Sequence, residues 1–342
     1  MTQRCDVLVL GGGPEGLSAA ILLAKSGKKT HLVCEQAVLG GLGAEVSFGE
    51  GFRAPGVLHD SHRVRPQVVK ALGLEQHGLT WRTRPPLFGP ERDGPGLLLP
   101  AERNEMARAI GARSGEVGGG FSGYRGYLDR IRPALRAMMD NPAPSLQTEA
   151  ALWPLLKSGL SLRRLGKRDM MELLRVAPSC VDDWLSEHFE DPLVRALLAG
   201  PALTGSWMGP LSPTSTFCLL VEDALSGSEV VGGPAGLCHA LITAAEAAGV
   251  TFSIGKRVDA LLSEGNRVSG ATLEDNEHIE AKAILSTLGP KRTCLDLLEP
   301  GLLSPSIESE ISNIRTRGMI AKVHLGIRGE LRFNGHPEGH FE

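Results

Sequence analysis

The sequence lacks any hydrophobic run that would cross a membrane, and it lacks closely spaced pairs of cysteines. No window approaches the roughly 18 uninterrupted apolar residues of a membrane-spanning helix, and no signal-peptide pattern opens the chain. The six cysteines are scattered, which argues against a disulfide framework, a zinc site and a redox-active dithiol. The 36 lysines and arginines nearly balance 39 aspartates and glutamates, so no charge excess points to nucleic acid. These absences predict a cytoplasmic protein without a metal site.

Glycine, in contrast, is abundant. It contributes 43 of 342 residues, about 13%, against a usual share of about 7%. Many backbone positions therefore need a residue without a side chain. The length itself predicts two structural units, since one domain commonly takes about 100–200 residues.

The first 35 residues carry the pattern of a β-α-β unit. Residues 6–10 (DVLVL) are continuously apolar, as in a strand that is buried on both faces of a parallel sheet. Residues 16–25 (GLSAAILLAK) are rich in helix formers, and residues 30–34 (THLVC) indicate a second buried strand. Between the first strand and the helix lies a loop of Gly11, Gly12, Gly13, Pro14, Glu15 and Gly16.

This loop fits the G-x-G-x-x-G pattern of dinucleotide-binding folds. In that pattern Gly11 permits the tight turn, Gly13 lets the backbone approach a pyrophosphate, and Gly16 lets helix and strand pack closely. Glu35 follows the last of these glycines by 35 − 16 = 19 residues, where a carboxylate accepts hydrogen bonds from a ribose and repels a 2′-phosphate. The pattern predicts FAD or NAD rather than NADP. The alternative is a glycine turn that only joins a strand to a helix.

A second glycine cluster, residues 39–43 (LGGLG), follows this unit and includes Gly40 and Gly41. Simple NAD dehydrogenases do not need glycines there. Flavoproteins with an extended Rossmann domain do, because the chain passes close to the pyrophosphate and ribityl chain. At this point the sequence resembles the FAD-dependent amine-oxidase and phytoene-desaturase superfamily.

The resemblance extends over essentially the whole chain. Residues 51–79, 197–215 and 230–298 are similar to the phytoene dehydrogenase-like FAD-dependent oxidoreductases. The resemblance implies that FAD is held by the loop of Gly11 to Gly16, by Glu35, and by Gly40 and Gly41. It also implies that the backbone of Val258 contacts the adenine and that Ser286 lies beside the cofactor.

We expect an α/β fold with three parts. An FAD-binding Rossmann-type domain takes residues 1–60 and 225–300, and a mostly α-helical insertion takes residues 61–224. Residues 301–342 form the start of an incomplete substrate domain, in which the alternating residues 318–327 predict a new strand. The resemblance implies that relatives continue beyond this point, so we expect weak activity from this chain alone. Helices are expected near 65–72, 102–112, 124–140, 150–158, 168–176, 181–199 and 234–248, and strands near 251–254, 257–263, 267–273 and 283–287.

The resemblance implies a flavin-dependent oxidation or desaturation of a small lipophilic or amine-like substrate. The hydride goes to flavin N5, and the electrons go on to oxygen or a quinone; no catalytic acid, base or nucleophile can be assigned. A nicotinamide-dependent reductase is disfavoured, because no convincing buried strand precedes the glycines of residues 232–236. The alternative from another class is a truncated, non-catalytic nucleotide-binding or interaction protein.

Two weaker signals have ordinary explanations that we prefer. His59 and His62 offer two imidazoles, but no further ligands support a metal site. The arginine-rich helices at 125–136 and 163–175 offer contact with an anionic membrane surface, but dispersed arginines and balanced charge favour a solvated helix face. We expect Tyr124, Tyr127 and Trp184 in a core.

Overall fold

The computed structural model describes residues 3–114, 119–141, 159, 163–329 and 333. The chain divides into two compact units, Met1–Arg82 with Glu229–Gly326, and Thr83–Ser228 with Ile327–Glu342. The helix predicted at 150–158 lies outside the described residues. None of the helices in the described ranges is long and apolar enough to span a membrane.

The elements follow in chain order. The strands are β1 (Gln3–Leu10), β2 (Thr30–Cys34), β3 (Glu45–Ser47), β4 (Arg53–Pro55), β5 (Trp81–Arg82), β6 (Leu87–Gly89), β7 (Leu97–Leu99), β8 (Glu229–Val230), β9 (Thr251–Ile254), β10 (Val258–Glu264), β11 (Arg267–Leu273) and β12 (His278–Ser286). The helices are α1 (Pro14–Lys25), α2 (Pro66–Leu72), α3 (Arg103–Ser114), α4 (Gly119–Asp140), α5 (Gly166–Val176), α6 (Val181–Ser186), α7 (Pro192–Leu203), α8 (Ser215–Leu225), α9 (Gly233–Ala247) and α10 (Pro305–Asn313).

The first unit is built on a six-stranded sheet in the order β10-β11-β12-β1-β2-β9. The pairs β12 with β1, β1 with β2, and β2 with β9 are parallel, so the carboxyl ends of these four strands meet at one edge. The crossover helix α1 joins β1 to β2. The other neighbour of β1 is β12, which lies more than 270 residues later in the chain. Ligands of open α/β sheets bind outside such an edge where the strand order reverses.

Both faces of β1 are covered, which explains its continuous apolar sequence. Val7 and Val9 belong to a buried cluster with residues of α1, α2 and α9, and α1 packs directly against α9. Leu8 and Leu10 point to the opposite face, where they join buried residues of β10, β11 and β12. The mixed α/β fold with a parallel sheet at its centre confirms the predicted fold class.

The turn-forming pairs Gly265-Asn266 and Asp275-Asn276 predict two hairpins, and both are present. β10 and β11 pair antiparallel across Gly265 and Asn266, and β11 and β12 pair antiparallel across Asp275 and Asn276. Asn276 takes a left-handed conformation with φ of 58°, which asparagine tolerates better than most residues. The strands predicted at 257–263 and 267–273 are thus confirmed, whereas β12 begins at His278, earlier than the predicted 283–287.

The second unit is mostly helical around one buried cluster. Tyr124, Tyr127 and Trp184 belong to that cluster, as expected, and the Tyr124 and Trp184 ring centroids are 5.4 Å apart. α4 contributes Leu128 and Ile131 to the same core, which explains the three-to-four spacing of its apolar residues.

Two sequence-based predictions of structure are wrong. The helix expected over 181–199 is divided into α6 and α7, because the Asp191 carboxylate accepts hydrogen bonds from the Leu193 and Val194 amides and starts a new helix before Pro192. Residues 318–327 form no strand, since no described strand supplies the backbone partners that a β-ladder needs. Helices α8 and α10 were not predicted.

Candidate functional site

The predicted glycine loop lies where the fold places ligand sites, at the carboxyl end of β1. The amide of Gly11 donates to the Val33 carbonyl oxygen across 2.9 Å, which ties the loop to β2. A Cβ on Gly16 would collide with the Gly11 carbonyl oxygen, so the turn from β1 into α1 needs glycine there. α1 then begins with Gly13 as its N-cap and Pro14 in its first turn.

Residues 39–43 come back against this loop. The Gly40 amide donates to the Gly12 carbonyl oxygen across 2.8 Å, and Gly40 has a φ of 119°, which favours glycine. A Cβ on Gly41 would lie 2.9 Å from the Gly13 Cα. The structure therefore brings together the two glycine clusters that the sequence predicted as one site.

Gly13 differs from its neighbours because the protein leaves open space where its side chain would lie. A Cβ on Gly12 would meet Cys34 Sγ and Leu39 Cδ2, each at 2.7 Å, so packing inside the protein requires that glycine. A Cβ on Gly13 would meet only the Glu15 side-chain oxygen Oε2, at 3.0 Å, which can swing away. The protein itself leaves room for a side chain at Gly13.

The loop of Gly11 to Gly16 fits the diphosphate of a dinucleotide. The first amides of a helix have no partner within the helix, and at α1 they face the space beside Gly13 with the positive end of the helix dipole. Pro14 has no amide to offer, and the Glu15 side chain is exposed. The donors are thus backbone amides, as in dinucleotide-binding loops.

Glu35 directly follows β2, and its side chain is exposed. Its neighbours are fixed: the Lys256 amide donates to the Cys34 carbonyl oxygen and the Gly255 amide to the Gln36 carbonyl oxygen, across 3.0 and 3.1 Å. The carboxylate therefore stands on a rigid strand end and has room to accept hydrogen bonds from a ribose.

Ser286 is the last residue of β12 and pairs with Leu10, so it lies at the same sheet edge as the loop. Its hydroxyl is 2.7 Å from the Thr293 hydroxyl. The next residue, Thr287, was missed by sequence reasoning. Its hydroxyl donates to the Leu10 carbonyl oxygen across 3.0 Å and occupies the space that a Cβ on Gly11 would need. Thr287 thus fixes the loop from the β12 side. This role depends on the pairing of β12 with β1, which the local sequence does not show.

Val258 is buried at the start of β10 in the cluster that includes Leu8 and Leu10. Its carbonyl oxygen accepts a hydrogen bond from Arg292 Nη2 across 3.3 Å. The predicted backbone contact of Val258 with adenine stays a prediction.

A second turn of the same kind opens α9. A Cβ on Gly236 would collide with the Val231 carbonyl oxygen, just as one on Gly16 would collide with that of Gly11. β8 precedes this turn and is buried, although it is only two residues long and antiparallel to β5. The signal in the sequence is the repeat of G-P-x-G-L at Gly13 and Gly233.

The start of α9 lies against the second glycine cluster. Cys238 Sγ donates to the Gly40 carbonyl oxygen across 3.5 Å, and a Cβ on Gly43 would lie 2.8 Å from the same sulfur. Burial raises the pKa of the Cys238 thiol to about 11, and the nearby Glu15 carboxylate raises it further in the same direction. This thiol is neutral and packs as a small apolar group.

The family model that matches is the FAD dependent oxidoreductase family, over residues 6–50. These residues contain both glycine clusters and Glu35. Pyridine nucleotide-disulfide oxidoreductase domain-containing protein 2 of Mus musculus is 27% identical over 97% of the chain and 61% of its own length. Hydroxyneurosporene desaturase of Rubrivivax gelatinosus is 29% identical over 91% of the chain and 61% of its own length. The chain thus spans about three fifths of these relatives.

A solved oxidoreductase from Methanosarcina mazei shares the fold with a TM-score of 0.55, at 15% identity, over 91% of this chain and 65% of that one. The predicted resemblance is therefore confirmed both in sequence and in fold. The chain is related to the FAD-dependent oxidoreductases, and FAD is the cofactor that this relationship implies.

Proposed function

We propose that the loop of Gly11 to Gly16, together with Gly40, Gly41 and Glu35, binds FAD and that the protein is an FAD-dependent oxidoreductase. The observation that carries the proposal is the open position at Gly13. The other loop glycines are explained by contacts inside the protein, whereas Gly13 has no neighbour that requires a glycine. A pyrophosphate lying against the backbone is the physical reason to keep a glycine there.

The chain's own groups bind and orient the cofactor. The amides at the start of α1 would face the diphosphate charge, and the Glu35 carboxylate would accept from the adenosine ribose. The resemblance implies that the Val258 backbone would contact the adenine and that Ser286 would lie beside the cofactor. When bound, FAD supplies a hydride acceptor at N5. The protein contributes position and electrostatics, so a catalytic acid or base need not be present.

The resemblance supports oxidation or desaturation of a small lipophilic or amine-like substrate, with oxygen or a quinone as the electron acceptor. Flavoproteins that pass electrons to oxygen or quinones need no second nucleotide site. The turn at residues 232–236 does not supply one, because its preceding strand, β8, is antiparallel and outside the parallel sheet.

The test is a titration of the 342-residue chain with FAD and, separately, with NAD, followed by gel filtration and a visible spectrum. We expect the protein fraction to retain about one FAD per chain and no NAD. Anaerobic bleaching of the bound flavin by panels of amines and of lipophilic alkenes then identifies the substrate class. Retained FAD without bleaching by either panel would favour the non-catalytic alternative, and failure to retain FAD would contradict the proposal.

A further inference from the structure

The ammonium group of Lys322 donates to backbone carbonyl oxygens of one short segment, residues 55–58. Its Nζ lies 2.8 Å from the Gly56 oxygen, 3.2 Å from the Pro55 oxygen and 3.5 Å from the Leu58 oxygen. An ammonium has three N–H donors, so it can serve all three oxygens at once. Burial lowers the pKa of Lys322, and none of its hydrogen-bond partners among the described residues is a carboxylate. Backbone carbonyl dipoles therefore hold this charge.

Residues 55–58 lie directly against the end of the second glycine cluster. The Gly56 amide donates to the Ala44 carbonyl oxygen and the Leu58 amide donates to the Leu42 carbonyl oxygen, each across 3.0 Å. A Cβ on Gly56 would lie 2.7 Å from the Ala44 oxygen and 2.8 Å from the Leu42 oxygen. The two stretches of backbone thus touch with no side chain between them.

The same glycine cluster contacts the loop of Gly11 to Gly16 on its other side. The Gly43 amide donates to the Gly40 carbonyl oxygen across 2.9 Å, and the Gly40 amide donates to the Gly12 carbonyl oxygen across 2.8 Å. A series of backbone contacts therefore connects the partners of Lys322 to the proposed diphosphate site. Tightly packed backbone transmits a displacement, because no flexible side chain is there to absorb it.

The extended chain around Lys322 is itself fixed to the protein. Side chains two and four residues later point the same way in an extended chain. The His324 ring stacks on Phe48 with centroids 5.2 Å apart, and a Cβ on Gly326 would lie 3.6 Å from the Phe52 ring. These contacts reach the hairpin of β3 and β4, whereas Lys322 reaches the segment that follows it. The ammonium is therefore held in place from its own side as well.

We propose that Lys322 is a positioning residue for the FAD site. Its ammonium holds residues 55–58 against the second glycine cluster and so keeps Gly40 and Gly41 in place beside the diphosphate loop. This role rests on the proposed function, since it concerns FAD binding. Without the ammonium, converging carbonyl oxygens would lose their donor and repel one another, and an unsatisfied carbonyl costs free energy. The segment would then move apart, and the glycine cluster would lose its support.

The test compares FAD affinities of variants of the 342-residue chain by quenching of flavin fluorescence. Lys322→Met keeps the length of the side chain without its donors, and should weaken FAD binding at least about tenfold. Lys322→Gln keeps a donor without the charge and should lose less, and Lys322→Arg keeps both and should lose least. The order also tests the role if Lys322→Met fails to fold, which circular dichroism shows. Equal losses in Lys322→Gln and Lys322→Arg would contradict a role of the charge.

Lys25→Met is the matched control. Lys25 Nζ also donates to backbone carbonyl oxygens, across 2.7 Å to Leu72 and 3.5 Å to Ala71, at the end of α2 rather than beside the glycine clusters. Its FAD affinity should stay within about twofold of the wild type. Unchanged affinity in folded Lys322→Met, or an equal loss in Lys25→Met, would overturn the inference.

Hydrogen exchange of the FAD-free proteins separates this inference from the proposed function. In Lys322→Met, peptides that contain the Gly40, Gly43 and Gly56 amides should exchange at least about tenfold faster than in the wild type, and peptides of α1 should not. If the wild type retains no FAD, the proposed function is wrong, and the exchange rates still decide whether Lys322 supports the cluster. Unchanged exchange in a wild type that binds FAD would refute the role of Lys322 alone.

Discussion

The α-carbon of Gly16 lies so close to the carbonyl oxygen of Gly11 that a side-chain carbon cannot fit between them. This contact lets α1 start directly above the end of β1, so the first amides of the helix face the sheet edge. Gly16 therefore acts on the fold, whereas Gly13, three residues earlier, leaves open space beside the helix start.

Gly16→Ala should accordingly lower the free energy of unfolding, because the new Cβ must displace α1 or the Gly11 carbonyl. Overpacking of a tightly packed contact typically costs about 1–3 kcal/mol, and here the colliding atom belongs to the backbone and cannot swing away. Urea unfolding followed by circular dichroism measures the loss. The control is Gly123→Ala, in helix α4, because a Cβ on Gly123 would meet open space. Gly249→Ala would not serve, because Gly249 has a φ of 81° and any side chain there is strained. Wild-type stability in Gly16→Ala would contradict the packing role.

Glu35→Ala should weaken FAD binding by about 1–3 kcal/mol, since hydrogen bonds to charged groups contribute on that order. Glu35→Gln keeps an acceptor and should lose less. Fluorescence quenching of FAD on titration with protein measures the affinity. Glu264→Ala removes another exposed carboxylate, at the end of β10, and serves as the control. Unchanged affinity in Glu35→Ala would remove this residue from the ribose role.

Much of this site could be predicted because its signals are local. The β-α-β unit, the glycine loop and Glu35 lie within 35 consecutive residues, and their spacing alone defines the geometry. Thr287 could not be found in this way, since its contact with Gly11 depends on β12 pairing with β1 across more than 270 positions. The glycines of residues 232–236 were recognised in the sequence, but their buried strand, β8, was not, because it has only two residues.

The errors in the fold have similar causes. Residues 181–199 are apolar enough for one helix, but the Asp191 cap before Pro192 divides them. Residues 318–327 alternate as a strand does, yet alternation describes which side chains share a face and does not supply a hydrogen-bonding partner. Tertiary pairing decides such cases.

His31 should make stability depend on pH. It is buried in β2, where its ring nitrogens lie 2.7 Å from the Thr251 hydroxyl and 3.0 Å from the Ser253 hydroxyl. Burial lowers the pKa of His31 below its ordinary value. Protonation therefore favours the unfolded chain, so the free energy of unfolding should fall as pH falls below about 6.5 and level off beneath the lowered pKa of the folded state.

Urea unfolding at pH 7.5 and pH 5.5 measures this effect. His31→Gln should make the difference between the two pH values smaller, while His278→Gln, which changes an exposed histidine at the start of β12, should not. Some dependence should persist in both variants, since burial also lowers the pKa of His188. An unchanged pH dependence in folded His31→Gln would exclude His31 as its source.

The extended segment 319–327 should behave as an exposed apolar surface. Val323 and Leu325 are 76% and 75% exposed. The double change Val323→Ser and Leu325→Ser should lower the fluorescence of the dye ANS without loss of stability, because neither side chain is buried. Leu128→Ala, in the core of the helical unit, should instead cost about 2–5 kcal/mol. Lost stability in the double variant would show that these two side chains pack against the protein.

The most direct test of the account is the flavin content of Gly13→Val beside that of the wild type. Both proteins are supplied with FAD and passed through gel filtration, and the flavin is released and counted per chain; far-UV circular dichroism reports the fold. We expect about one FAD per chain in the wild type, and a folded Gly13→Val protein that retains almost none, because the new side chain occupies the space for the pyrophosphate. Full flavin occupancy in folded Gly13→Val would show that the nucleotide binds elsewhere.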